Sequence, residues 1–428
     1  MIEHVSTPAA LRRAAPGWPL WVGLAVVLAA GTAVKVACTS GGLVGSELGS
    51  PGCYSDVVAI AQARGLSNDP AVYREVLTEY PPLTALQWWL AMTLSSSVVG
   101  FLWVTAGLAA VASGLSAWLL VRLGAGGRAC LWVASPTVLL ATLISWDPVP
   151  VALLLSAVAL HRSGRDVGAC ILAALGGLAK LFPLVLVPLV VWSAWSRGRR
   201  DVAVRAGAAA LTVATAGMGL ATAWGGPEAW AFVRLNTERA ADWDTAWFAV
   251  NVVLDRVGSA PVPVEAINVL VAVVTLGGWA VVLWRGRSVP PSQRWRLALP
   301  LLVWFVLAGK VFSPQFSLWL LPLMVLLGTD RADRREEATQ APIAPTDGPN
   351  RPVGPVVPTW PVVPVVPTWL VGAFVVADTA VLLTRFPFLA GLQGSSPSLP
   401  YEVFAVALAA RGLVLVGVLT TSIPGAHR

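Results

Sequence analysis

Charge is what this sequence has least of. Asp, Glu, Lys and Arg make up only 12% of its 428 residues, about half the share of a soluble globular chain. Hydrophobic residues account for 56%, and the mean hydropathy is +0.73. A water-facing surface cannot be assembled from that composition, which excludes an ordinary soluble protein. Lysine and histidine are scarcer still. Of 29 basic residues only Lys35, Lys180 and Lys310 are lysines, and the histidines are His4, His161 and His427. Three scattered histidines on the cytoplasmic side of the topology below cannot form a metal site or nucleophile at the outer face. No GxxxxGK[ST] phosphate loop occurs, and no GxGxxG stands between a strand and a helix. The arginines sit in short clusters between apolar runs rather than on one soluble face, which argues against a nucleic-acid partner. Four cysteines are present. Cys130 and Cys170 fall in apolar runs and read as core residues. Cys38 and Cys53 share one polar loop, where a disulfide suits an oxidising exterior and two reduced thiols are the alternative.

What fills the chain instead is a series of apolar runs, many too long for core helices. The fold class expected is an all-α polytopic membrane protein of about twelve spans. They fall near 18–38, 98–121, 129–145, 148–161, 167–180, 183–196, 203–224, 264–284, 295–309, 316–328, 363–384 and 402–421. The first run follows Arg12-Arg13 and is too long for a secretory signal, so it reads as an uncleaved anchor. With the N-terminus inside, the cytoplasmic turns hold Arg122/Arg128, Arg162/Arg165, Arg197/Arg199/Arg200, Arg285/Arg287/Arg294 and Arg331/Arg334/Arg335, as the positive-inside rule requires. Both termini are then cytoplasmic, in a bacterial plasma membrane. Counting Leu83–Val99 as a span would put Arg122 and Arg128 outside. It reads as an interfacial or re-entrant helix with Trp88-Trp89 at the headgroups, a thirteenth span being the alternative. Residues 1–328 form one module with a long first outer loop (39–97) and a second (225–263). A cytoplasmic Pro-rich linker (329–362) leads to a two-helix extension (363–428). Asp378 and Arg411 are lone charges inside the last two spans and are expected to pair across them.

The polar residues that remain gather at one face. The first outer loop holds Cys53-Tyr54-Ser55-Asp56 ahead of a helix-like stretch, and Glu79-Tyr80-Pro81-Pro82 ahead of another. Lys180 (GLAKLFPL) and Lys310 (GKVFSPQFSLWLLP) each precede a proline at the turn between an outgoing and a returning span. A charge there is costly unless solvated or paired, so a functional role is the default and snorkelling the alternative. Lys35 leans towards snorkelling. Asp147-Pro148 has the form of an ordinary helix N-cap, and Ser55-Asp56 shares that ambiguity. Arg239, Asp242 and Asp244 lie in the second outer loop, where a solvated face of an interfacial helix would also explain them.

CYSDV, EYPPLTAL, SWDPVPVALLL, GLAKLFPLVLVPL and GKVFSPQFSLWLLPL, in this order, resemble the GT-C superfamily of integral-membrane glycosyltransferases. More narrowly they resemble the actinobacterial polyprenyl-phosphate-mannose-dependent α-mannosyltransferases. The resemblance runs from the first outer loop to the tenth span. It implies a GT-C-like bundle with the active site outside and Asp56 as general base. The donor it implies is a β-linked sugar, mannose first, on a polyprenyl monophosphate, and inversion gives an α-linked product on a lipid or glycan acceptor. Lys180, Lys310 and Arg239 are then the cations for the leaving phosphate. Asp147, Tyr80, Asp242 and Gln315 are expected to meet substrate. No metal or other cofactor is expected. A secondary transporter or lipid-linked-sugar flippase is the competing expectation, and it would carry repeated halves and charges at mid-membrane.

Overall fold

The computed structural model describes residues 17–41, 52–64, 74, 79–329, 364–392, 394 and 398–423. In chain order the helices are α1 (Trp18–Ser40), α2 (Asp56–Arg64), α3 (Pro82–Thr93), α4 (Val98–Arg122), α5 (Ala129–Val133), α6 (Pro136–Ala141), α7 (Pro148–Arg162), α8 (Asp166–Ala179), α9 (Leu186–Ser196) and α10 (Arg200–Gly225). They continue with α11 (Ala231–Glu238), α12 (Ala246–Arg256), α13 (Val264–Arg285), α14 (Ala298–Ala308), α15 (Ser317–Leu327), α16 (Thr368–Leu392) and α17 (Tyr401–Ser422). Among the described residues six helices are long and apolar enough to cross a membrane, and four shorter apolar helices pack among them. This is an all-α, membrane-embedded protein. The predicted linker at 329–362 lies outside the described residues except for Thr329. A two-residue parallel bridge, Gly328–Thr329 with Val366–Pro367, brings the described chain back beside the point where it leaves.

Local sequence explains most of the boundaries. Proline stands at the start of α3, α6 and α7, where its missing N–H costs nothing. Ser97 caps α4 by accepting from the Gly100 N–H at 3.1 Å. The stretch expected as one span over 129–145 is instead broken. Ser135 accepts from the Thr137 N–H at 3.1 Å and Pro136 cannot continue a helix, so α5 stops and α6 starts afresh. Helix α3 has 12 residues, about 18 Å at 1.5 Å per residue, shorter than a hydrocarbon core of about 30 Å, as are the apolar helices α7, α8, α9 and α15. Trp88 departs from the sequence expectation. It is buried, stacked on Trp146 at 6.0 Å and edge-on to Phe101 at 6.4 Å, while half-buried Trp89 meets Trp224. Trp88 anchors α3 to the bundle rather than to a headgroup layer. Cys130 is also corrected: it is exposed, whereas Cys170 is buried.

Two features place the helix ends that matter for the site. The chain after α8 folds back tightly because of Gly176 and Gly177. A Cβ on the first would lie 2.8 Å from Pro183 Cβ, and on the second 2.5 Å from Leu184 Cγ. Lys180 is thereby held at a sharp break between α8 and α9. The second feature is the α16–α17 hairpin, which packs on α14, α15 and α6. Within it Arg411 meets Asp378 at 3.4 Å, the pairing expected from sequence. Asp378 also accepts from Thr137 and Ser317 at 2.9 and 2.6 Å, so no charge there lacks a partner.

Candidate active site

The segment before α2 is tied down on two sides. Cys53 is disulfide-bonded to Cys38 at the end of α1, with Cα atoms 5.5 Å apart, and buried Lys35 donates from Nζ to the Tyr54 carbonyl. On the other side Ser55 Oγ donates to Leu143 O at 2.5 Å, and the Asp56 and Val57 N–H groups donate to Ile144 O at 2.8 and 3.3 Å. Ser55, not Asp56, begins the helix: its carbonyl accepts from the Ala59 N–H at 2.9 Å and its Oγ from Val58 at 3.4 Å. The Asp56 carboxylate is therefore left without a capping role. Its Oδ1 accepts from the Tyr54 hydroxyl at 2.5 Å, and its Oδ2 from Tyr80 at 3.5 Å. Burial pushes the pKa of Asp56 above the ordinary carboxylate range. The Tyr54 hydrogen bond and the charges of Lys180 and Arg239 pull it back, while Glu79 pushes with burial.

Asp147 sits at the N-cap position of α7 but makes no side-chain cap bond. Its buried carboxylate instead receives Lys180 Nζ at 2.9 Å on both oxygens and Trp319 Nε1 at 2.5 Å on Oδ1. The Lys180 ammonium also faces three rings, 5.8 Å from Tyr80, 5.4 Å from Phe316 and 5.3 Å from Trp319. Trp319 lies between Phe182 and Phe316, with ring centroids 4.4 and 3.8 Å away. Thr84 Oγ1 donates to Ala179 O at 2.8 Å, which joins the EYPPLTAL helix to the end of α8. Asp56, Tyr80, Asp147 and Lys180, from four sequence regions, thus share one cluster.

The second loop adds a neighbouring cluster. Lys310 Nζ donates to the carbonyls of Arg239 at 2.6 Å and Thr237 at 3.3 Å, at the C-terminal end of α11. The Asp242 N–H donates back to Lys310 O at 2.8 Å. Lys310 therefore acts as a clamp on the backbone that carries Arg239. The half-exposed Arg239 side chain meets Asp242 at 3.4 Å. Asp242 and Asp244 are buried, not a solvated helix face. Between them they grip Arg385 of α16, at 3.5 and 2.5 Å, with its guanidinium 5.6 Å over the Trp243 ring. Asp244 also meets Arg411 at 3.5 Å. Burial pushes the Asp244 pKa up to about 6, with Arg385 and Arg411 opposing. Gln315 is buried, and its Oε1 has no hydrogen-bond partner among the described residues.

Three residues at this site were not singled out from sequence. Tyr54 stands two positions from Asp56, and its proximity was the signal. Arg385 stands just past the expected end of a span at 384, so the in-span charge that marked Asp378 and Arg411 did not mark it. Trp319 carries no signal, since it reads as one more apolar residue in a span. No protein-family model and no curated protein matches the chain.

Proposed function

We propose that this chain is an integral-membrane glycosyltransferase of the GT-C type, moving a sugar from a polyprenyl-monophosphate donor to a lipid or glycan acceptor with inversion. Mannose is the sugar the motif resemblance favours. In this reading the chain crosses a bacterial plasma membrane about twelve times, with both termini cytoplasmic and the site outside. The observation that carries the proposal is Asp56: a carboxylate without a capping role, held by two tyrosines and within electrostatic reach of Lys180 and Arg239.

Asp56 takes the proton of the acceptor hydroxyl as that oxygen bonds to the anomeric carbon. The bond from the anomeric carbon to the phosphate oxygen breaks, and its electron pair leaves with the lipid phosphate. Lys180 and Arg239 stabilise the charge that develops on the phosphate. Asp147 orients Lys180, while Lys310 and Asp242 hold Arg239 in place.

A transporter or flippase is the second reading. The buried pair Arg411 and Asp378 favours it, since transporters place paired charges within the membrane. Radiolabelled polyprenyl-phosphate sugar offered to the purified protein in vesicles separates the two. A covalent product in the acceptor lipid or glycan fraction supports transfer. Movement of label across the bilayer without a product overturns it in favour of transport.

A further inference from the structure

Asp56 is held by a partner that the transfer mechanism above does not use. Residues 54 and 55 precede the helix in non-helical backbone, so Tyr54 and Asp56 face one side while Ser55 turns to Leu143. The Tyr54 backbone is fixed by the neighbouring disulfide and by Lys35, and its ring packs on Phe386 of α16 at 5.1 Å. A phenol anchored in this way presents its hydroxyl to Asp56 Oδ1 from one fixed direction. Tyr80 differs, because its hydroxyl lies 3.5 Å from Oδ2 and also 3.5 Å from Ser145 Oγ. Oδ1 is thus engaged by a close hydrogen bond, and Oδ2 by a long one that an incoming hydroxyl can displace.

We propose that Tyr54 is the positioning residue of this site, fixing Asp56 through Oδ1 so that Oδ2 is the oxygen that receives the acceptor's proton. The assignment rests on Asp56 being the general base. The acceptor O–H bond breaks, its proton passes to Oδ2, and the acceptor oxygen keeps the electron pair with which it attacks the anomeric carbon. Tyr54 keeps its own proton throughout: the Asp56 charge and then burial hold the phenol well above its ordinary pKa. A donor bonded to the ionised carboxylate also favours that form, against the burial that opposes it. The other ionisable groups around Asp56 are Tyr80 and Glu79 before α3, Lys35 of α1, Lys180 after α8, Arg239 after α11 and Arg385 of α16. All of them remain when Tyr54 is changed.

The test is the pH dependence of sugar transfer from radiolabelled polyprenyl-phosphate donor by the purified full chain in vesicles. Tyr54→Phe is expected to lower kcat about tenfold or more, to leave the donor KM nearly unchanged, and to move the acid limb of the kcat/KM profile to higher pH. Fluorotyrosine at position 54 keeps the ring and donates more strongly, so the same limb should move to lower pH, and this variant serves if the Phe variant fails to fold. An acid limb that stays put in every variant that folds overturns the role of Tyr54, even if kcat falls. Asp56→Asn in the same assay keeps the two questions apart. Inactive Asp56→Asn with an unmoved limb refutes Tyr54 alone, whereas active Asp56→Asn refutes the base itself.

Discussion

Replacing Asp147 with Asn probes how the site holds its principal cation. Asn keeps the shape and can still accept from Trp319 through one oxygen, but it removes the charge opposite Lys180. With Nζ 2.9 Å from both carboxylate oxygens, the attraction is about 6 kcal/mol at an effective dielectric of about 20. Several kcal/mol of desolvation offset it. The pair as a whole therefore contributes little net stability, yet losing one member strands the other. Asp147 is fully buried, while the Lys180 side chain is 16% exposed and reaches some solvent. Asp147→Asn should then cost about 3 kcal/mol, Lys180→Met a similar amount, and the double variant only about 1 kcal/mol, since no charge is left unpaired. Unfolding in mixed detergent–denaturant micelles measures all four corners of the cycle. Additive single effects would refute the buried ion pair. The functional counterpart is a donor KM raised in both single variants and not restored in the double.

Asp244 gives a pH signature. Its folded-state pKa is raised from 3.8 to about 6, so its contribution to stability is full at low pH and is lost as pH rises from 3.8 to about 6. Unfolding titrations should show wild type weakening relative to Asp244→Asn across that window, and parallel curves would contradict the burial. The disulfide predicts two alkylatable cysteines, Cys130 and Cys170, in the denatured unreduced protein and four after reduction. Breaking it should cost about 3 kcal/mol for this loop size, read as a lower unfolding midpoint in Cys53→Ser. In a Cys130→Ser background, Ser259→Cys should react with an impermeant thiol reagent from outside and Gly127→Cys should not. Labelling of Gly127→Cys would place the α4–α5 turn outside.

The all-α, apolar character and many of the helix ends were legible because apolar length, proline and arginine punctuation are local. Expected and observed helix ends agree within a few residues for α1, α4, α7, α13 and α17. The break at Ser135-Pro136 was legible in principle, since Ser-Pro favours a new start, but the surrounding apolar run masked it. Asp378 and Arg411 could be paired from sequence because an unpaired charge at that depth has no cheap alternative. Asp147 shows the limit. Asp-Pro is locally a cap, and only the fold brings Lys180 and Trp319 to it from 33 and 172 residues away. Lys310 was legible as a charge at a helix break. Its engagement with the Thr237 and Arg239 carbonyls was not, because no sequence pattern encodes which loop it meets. Arg385 was recognisable only as the end of a span, since its partners Asp242 and Asp244 lie across a tertiary contact.

The central claim is that Asp56 is a base and not a structural acid. The most direct measurement is the turnover of Asp56→Asn with radiolabelled polyprenyl-phosphate sugar, alongside donor binding by the same variant. Asn preserves the shape of the side chain, and Ser55 retains the helix start. Transfer should fall about a hundredfold or more while donor binding survives. Transfer near the wild-type rate would contradict the account and remove Asp56 from the chemistry.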